Sequence, residues 1–520
     1  MGPPRPDDFG VDSFTVAAVL DRRAEQYPDR VMLSVAGTDI TFEQLRQRSS
    51  AAAKLLLDQG IGSGDCVALF TATCPEWIYF WLGAARIGAV SAAVNAANKG
   101  DFLLHALQLS QAKLVITDLE RRGRVDEMAD IRTIVIQDDS VAAALGQDVS
   151  VAAVVGTPET LTLFFTSGTT GPSKAVATSW QYLFTVAATA VAAWEFAAGE
   201  VLWTAMPLFH LSAAPSVLAP LLVGGMTVLA GAFHPDAVWD DVRAHGAVGF
   251  VGAGAMVSML QNLPPDPRDA QLPLRFISAA PIDAKSYRTI EKRYGCVVVT
   301  MYGMTEAFPL AVNGVAYDGV PGTSGQINPN FEVRIIDAAG AELPAGSVGE
   351  ISCRARYGGV MSQGYVRGSD GPDLQVDPHP DWFRTGDLGS LDTDGNLTYV
   401  DRVKDSLRRR GENVSSVEVE AVVTSHPAVA EAAAVAVPSD LGEDDILLVV
   451  TLRAGAALDC AELLDYCAAR MPYFCVPRYV DTVAELPRNV IGRIRKDLLR
   501  ARGLSAGAWD RERHGYVLSR

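Results

Sequence analysis

An apolar, β-prone run, Leu161-Thr162-Leu163-Phe164-Phe165, leads directly into Thr166-Ser167-Gly168-Thr169-Thr170-Gly171-Pro172-Ser173-Lys174. The pattern predicts a buried strand with a phosphate loop held at its end. Glycines 168 and 171 let the backbone approach a charged ligand, the hydroxyls can donate to phosphate oxygens, and Lys174 adds a mobile point charge. The combination suits a triphosphate. It is not the Walker loop, because GxxxxGK[ST] is absent and the lysine lies three residues beyond the second glycine.

The chain around this loop alternates helical and strand patterns. Amphipathic stretches over Val16 to Gln26 and Phe42 to Gln59 alternate with apolar runs such as Val67-Ala68-Leu69-Phe70, and Pro75-Glu76-Trp77 opens a helix reaching Ile87. Beyond the loop, Trp203 to His210 reads as a strand ending in an aromatic and a histidine, and Arg275 to Ile282 and Met301 to Ala307 read as strands running into loops of small residues. Parallel sheets place ligand sites at such strand ends. From Gly349 onward the segments are short and punctuated by glycine, which predicts an antiparallel subdomain closing at Phe383-Arg384-Thr385-Gly386-Asp387-Leu388-Gly389. The charge-rich stretch Asp401 to Asn413 marks the domain boundary, and an α+β module follows it. The expected fold is therefore α/β: a large N-terminal domain (1–402) of doubly wound, mostly parallel sheets with a small antiparallel subdomain, plus a small mobile C-terminal α+β domain (403–520).

Composition excludes several classes. A chain of 520 residues exceeds one ordinary core, and a net charge of -17 argues against a general nucleic-acid binder. Seven cysteines lie scattered without CxxC pairs, which disfavours a disulfide framework or a zinc site and favours a reducing, cytoplasmic setting. The start lacks the basic and apolar regions of a signal peptide. The uncharged run from Leu211 to Phe233 is broken by Pro215, Pro220, Gly224-Gly225 and Gly231, so it reads as a buried helix, a Gly-Gly turn and a core strand rather than a membrane span.

Several residues stand out for their chemistry. Glu306, beside Thr305, can hold a magnesium ion that in turn holds phosphates, although alone it reads equally well as a solvated loop carboxylate. Asp387 follows a glycine turn and can accept both hydroxyls of a ribose. His210, at an apolar strand end, reads more readily as a packed core residue than as a catalyst.

TSGTTG, YGMTEA, RTGDLG, and DRVKD followed by RRRGENVSS occur here in order from Thr166 to Ser416. In these motifs the chain resembles the AMP-forming acyl-CoA synthetases of the adenylating superfamily, most of all the crotonobetaine or carnitine-CoA ligase branch. The resemblance implies two steps. A carboxylate attacks the α-phosphate of ATP to give acyl-AMP and pyrophosphate, and the thiol of CoA then displaces AMP. It also implies roles for residues. Thr166, Ser167, Gly168, Thr169, Thr170, Gly171 and Lys174 would hold the β and γ phosphates, with Mg2+ on Glu306. Thr305 would contact the phosphate and acyl carboxyl, Ala279, Ala280 and Pro281 would line the adenine, and Tyr302 and Gly303 belong to the same nucleotide-binding motif. Asp387 and Arg402 would grip the ribose, Lys404 would be the hinge about which the small domain swings, and Gly411 would border the pantetheine route. His210 would sit at the acyl pocket as a gate, with Trp203, Ser212, residues 252–255, Met301 and Phe308 lining that pocket.

The chain departs from the family's pattern in its closing motif, where Gly492 precedes Arg493 instead of a lysine. The family's lysine enters the site for adenylation only, bridging carboxylate and phosphoryl oxygens where charge is changing, and a planar guanidinium does not replace an ammonium there geometrically. The chain holds 8 lysines against 36 arginines, so drift towards arginine is the plain alternative; Lys496, three residues on, is a candidate substitute. Ser173 and Ala175 stand where proline and glycine are usual, and Trp180 where histidine is common. The expectation is an acid-thiol ligase that makes an acyl-CoA thioester from a supplied acyl-adenylate and CoA, with adenylation impaired and a separate adenylating ligase as partner. The rival readings are a complete two-step synthetase, a carrier-protein loading enzyme and a non-catalytic binding protein. A homo-oligomer is compatible with each.

Overall fold

The computed structural model describes residues 2–518, except 129, 150–155, 167–171, 283, 318, 368–373, 403–405, 411, 440–442 and 489–493, and describes the backbone alone at 401, 402, 406, 408 and 413. Among the described residues the architecture is α/β with two large sheets, of 13 and 8 strands, followed by a two-stranded ribbon and a four-stranded sheet in the C-terminal part.

The 8-stranded sheet is built on parallel pairs. Cys66–Phe70 lies between Val90–Ala93 and Leu114–Thr117, and Val90–Ala93 in turn pairs with Leu161–Thr166. These strands are buried along almost their whole length, as strands covered by helices on both faces must be. The covering helix Phe42–Asp58 starts in a capping box, in which Thr41 accepts from the Gln44 amide while the Gln44 side chain accepts from the Thr41 amide. Trp180–Trp194 is apolar on every face and runs through the core, where Trp180 packs on Trp81 (4.8 Å between ring centroids) and on Phe184 (5.7 Å).

The 13-stranded sheet carries parallel strands Val201–Thr204, Gly249–Ala253, Phe276–Ala280 and Val297–Met304 side by side, so their C-terminal ends open on one edge of the layer. The antiparallel strands expected from Gly349 onward lie at one end of this sheet. Val297–Met304 pairs with Ala307–Asn313, then Gly325–Ile327, Asn396–Arg402, Phe383–Leu391, Gly349–Ala355 and Phe331–Ile336 follow without a break. Ladder hydrogen bonds join the parallel and antiparallel parts into one sheet, a pairing that periodicity along one strand does not reveal.

The uncharged run resolves into the helix Ala214–Val223, a Gly224-Gly225 turn and the strand Met226–Leu229. Among the described residues no helix is long and apolar enough to cross a membrane. All seven cysteines are free. Past the ribbon Ser406–Arg409 and Glu412–Ser415, helices Ser416–Thr424 and Cys460–Arg470 cover strands Val429–Pro438 and Asp444–Leu452 around their own apolar core. That core reaches across the lobe boundary, with Ala97 and Phe102 of the large lobe packing against it.

Candidate active site

The stretch expected to bind phosphates links the antiparallel strands Leu161–Thr166 and Lys174–Ser179, in which Thr166 and Lys174 face each other. Residues 167 to 171 lie outside the described part, so the site is built from the two ends of the loop. Ala175 pairs with Phe165 as ordinary extended strand, so this departure from glycine costs the hairpin nothing. The Lys174 ammonium sits 4.5 Å from the centroid of the Tyr365 ring, a cation–π contact. Tyr365 reaches this place because its strand, Gly364–Arg367, pairs with Lys174–Ser179.

The hydroxyl of the same tyrosine donates to Glu306 Oε1 at 2.6 Å. Glu306 occupies the turn between Val297–Met304 and Ala307–Asn313 and is 7% exposed, which corrects the reading of a solvated loop carboxylate. Gly303 is what lets this turn close, since a Cβ there would lie 2.5 Å from the Ala307 carbonyl oxygen. Burial and the Glu306 charge both push the Tyr365 hydroxyl up, so it remains a donor. One buried carboxylate next to the Lys174 corner fits magnesium, which takes one or two carboxylates and completes its shell with phosphate oxygens and water. Glu306 would hold the ion, and the ion would neutralise charge on the phosphates. Beside this corner His379 shares a 2.8 Å hydrogen bond with the Ser362 hydroxyl and packs edge-on to Tyr365. Burial, with help from Lys174, lowers its pKa to about 4.

At the nucleoside end Asp387 is 4% exposed and accepts from the Tyr302 hydroxyl at 2.8 Å. Burial and the Asp387 charge push the tyrosine hydroxyl well up. Asp387 and Arg402 are cross-strand partners, so the ribose pair expected from the motifs starts from adjacent backbone positions. Ala279 and Ala280 end a parallel strand, and Pro281 approaches Gly254 so closely that a Cβ on that glycine would meet the Pro281 carbonyl at 2.2 Å. The Thr305 carbonyl accepts from Tyr182 at 3.3 Å.

The strand before His210 stops at Thr204, shorter than expected, and residues 205–210 form a connection instead. Pro207 cannot donate to a ladder, which accounts for the early end. His210 is no packed core residue. Its Nε2 donates to Glu412 Oε2 at 2.9 Å, and Asn95 Nδ2 donates to the same oxygen at 3.3 Å. Glu412 comes from the small lobe, one residue past Gly411, so this contact joins the lobes at the histidine expected beside the acyl pocket. Trp203, also expected near the acyl pocket, is buried. It stacks on Phe250 at 5.2 Å and donates to Asp241 at 2.6 Å. Lys404, Gly411 and Arg493 lie outside the described residues.

Two further contacts fix the lobes. The Ser173 amide and hydroxyl both donate to Glu418 Oε1, at 2.9 and 2.8 Å, and His105 Nε2 donates to the Ser173 carbonyl at 2.7 Å. Gly100 abuts Arg470, where a Cβ would come within 3.0 Å of the carbonyl oxygen. Glu412, Glu418, Asn95 and Tyr365 were not among the residues picked out by sequence. For Glu412 the signal was its place directly after Gly411 in a motif; the others became visible only through pairing.

The profile of AMP-binding enzymes matches residues 20–366, and that of the AMP-binding enzyme C-terminal domain matches 418–493. The chain belongs to the AMP-binding enzyme family. It is similar to a crotonobetaine/carnitine–CoA ligase of Salmonella choleraesuis (strain SC-B67), 30% identical over 488 residues that cover 88% of this chain and 93% of that relative. The fold of this AMP-binding enzyme is also similar to that of o-succinylbenzoate CoA synthetase (MenE) from Bacillus subtilis. A double mutant of MenE bound to its product analogue OSB-NCoA superposes with a TM-score of 0.81 (23% identity, 93% of this chain and 98% of that one). MenE in complex with the acyl-adenylate intermediate OSB-AMP gives 0.66 (23% identity, 93% and 97%). As an acyl-CoA ligase family enzyme, the chain is by class an acid–thiol ligase that works through ATP or acyl-AMP and CoA.

Proposed function

We propose that this AMP-binding enzyme joins the acyl group of an acyl-adenylate to the thiol of CoA and is impaired in making that adenylate from ATP. The observation that carries the reading is the contact of Glu412 with His210 at 2.9 Å, which brings the strand Glu412–Ser415 to the histidine expected at the acyl pocket. That is the arrangement a thiol entering beside Gly411 requires. The higher TM-score with the OSB-NCoA complex of MenE than with its OSB-AMP complex supports the same lobe arrangement.

Support for the impairment comes from two cations. Arg493 stands in the position of the lysine that the family uses for adenylation, and its fork does not reproduce an ammonium. Lys496, the candidate substitute, is tied within its own lobe, to Glu420 at 2.6 Å and to Ser416 at 2.8 Å. Both partners travel with the small lobe, so a swing about Lys404 does not release it. A separate adenylating ligase would then supply the acyl-adenylate. Seven unpaired thiols agree with a reducing, cytoplasmic setting.

The rival is a complete synthetase, and the retention of Lys174, Glu306 and Asp387 in a coherent triphosphate and ribose geometry favours it. Pyrophosphate release from acid plus ATP, with CoA absent, separates the two. The proposal expects a slow wild-type rate, raised roughly a hundredfold or more by Arg493→Lys; a brisk wild-type rate with no gain in the variant favours the rival. Offering CoA against a phosphopantetheinyl protein tests the acceptor, and no thioester from synthetic acyl-AMP would leave only a binding role.

A further inference from the structure

We propose that Tyr365 is a positioning residue that sets both charges of the Lys174 corner: its hydroxyl holds the Glu306 carboxylate ready for a divalent metal, and its ring face seats the Lys174 ammonium. This rests on the reading that the corner takes a magnesium-bound polyphosphate.

Register puts the tyrosine there. Tyr365 lies opposite Val176, and Lys174 is two residues from Val176 on the same face of its strand, so ring and ammonium are diagonal cross-strand neighbours. The ammonium sits 4.5 Å from the ring centroid. At the other end of the same side chain the hydroxyl donates to Glu306 Oε1 at 2.6 Å, a charge-assisted bond to a carboxylate that is 7% exposed. The backbone around Glu306 is fixed by other groups. Its carbonyl accepts from the Ser362 amide at 2.9 Å, and the buried Tyr182 hydroxyl donates to the Thr305 carbonyl at 3.3 Å and accepts from the Phe308 amide at 2.7 Å. The side-chain rotamer of Glu306 is set separately, and Tyr365 holds it. The tyrosine is itself held: His379 packs edge-on to its ring, with centroids 5.1 Å apart at 85°, and shares a 2.8 Å hydrogen bond with the Ser362 hydroxyl. Outer partners of a metal-binding carboxylate fix its orientation, and their removal lowers metal affinity about 10–100-fold. A cation on a ring face is a separate and weaker contact. The two jobs of Tyr365 therefore come apart by substitution.

Titration calorimetry of the full-length enzyme with ATP, in magnesium and in EDTA and with no acid present, tests this. Tyr365→Phe keeps the ring and removes the hydroxyl. It is expected to lose about tenfold of the magnesium-dependent gain in ATP affinity and to keep the wild-type affinity in EDTA. Tyr365→Leu also removes the ring and is expected to weaken ATP binding several-fold in EDTA as well. Electron paramagnetic resonance of Mn2+ bound with ATP should report the same loss of metal affinity in Tyr365→Phe. In Glu306→Gln the magnesium gain is expected to vanish, and adding Tyr365→Phe should change nothing further. A tyrosine that merely supports the fold would weaken both variants alike, with metal and without. That outcome, an unchanged magnesium gain in Tyr365→Phe, or a further loss on top of Glu306→Gln overturns the proposal and leaves the reading of the corner standing. Wild type that binds no ATP, or binds it without help from magnesium, defeats that reading and the proposal together.

Discussion

Glu412 and His210 meet from different lobes, and their 2.9 Å hydrogen bond ties the small lobe to the histidine proposed to border the acyl pocket. A bond to a charged partner contributes about 1.5–3 kcal/mol, so His210→Ala and Glu412→Ala should each slow thioester formation from synthetic acyl-AMP about tenfold. Because both remove the same contact, the double variant should cost little more than either single one, which a double-mutant cycle reads. A second residue carries a pH signature. The His379 pKa falls from its ordinary 6.5 to about 4 through burial and the nearby Lys174 charge. Between those values the unfolded chain takes up a proton that the folded one refuses, so stability falls as pH drops from about 6.5 to 4. Difference melting curves of wild type against His379→Gln across that range should show the component vanish in the variant. Sequence made the chemistry of Asp387 and Lys174 legible, because carboxylate, glycine turn and lysine are local signs. It left Tyr365 unseen, because a tyrosine that serves both Lys174 and Glu306 does so only through the pairing of Gly364–Arg367 with the loop hairpin.

At the scale of elements, most helices and strands followed from period and caps. Val16–Gln26 begins where expected with Thr15 accepting from the Ala18 amide, and Phe42–Asp58 with its Thr41 box. What the pattern left open was tertiary. Local pattern could not show that Trp203 stacks on Phe250 and donates to Asp241, nor that the antiparallel strands are continuous with the parallel ones. In the small lobe, Lys496 opens the helix Lys496–Arg502 and clamps it to Ser416–Thr424 through Glu420, with side chains 15% and 18% exposed. Burial pushes the Glu420 carboxyl up while Lys496 draws it down. Lys496→Ala should therefore destabilise the lobe by about 2–3 kcal/mol in denaturant unfolding, because it strands a mostly buried carboxylate. If Lys496 is structural as argued, thioester formation per folded molecule stays at the wild-type rate.

For the whole molecule, the contacts that hold the lobes among the described residues include Glu412 on His210 and Asn95, Glu418 on Ser173, Gly100 against Arg470, and Ala97 and Phe102 against the small-lobe core. Gly100 has φ +49°, and a side chain there meets the Arg470 carbonyl at 3.0 Å. Gly100→Ala should loosen docking and raise KM for CoA several-fold, from strain of about 1 kcal/mol or more at a left-handed residue; small-angle scattering should show a larger radius of gyration. The two-lobed plan itself was legible, since the charge-rich stretch from Asp401 separates two differing patterns, but the docked arrangement depends on contacts between residues hundreds of positions apart. The account's central claim is that one lobe arrangement works and the other is disabled. It is tested most directly by measuring both half-reactions on one preparation: acyl-AMP plus CoA to thioester, and acid plus ATP to acyl-AMP. The account predicts that the first outruns the second by roughly a hundredfold or more. Comparable rates for the two would contradict it.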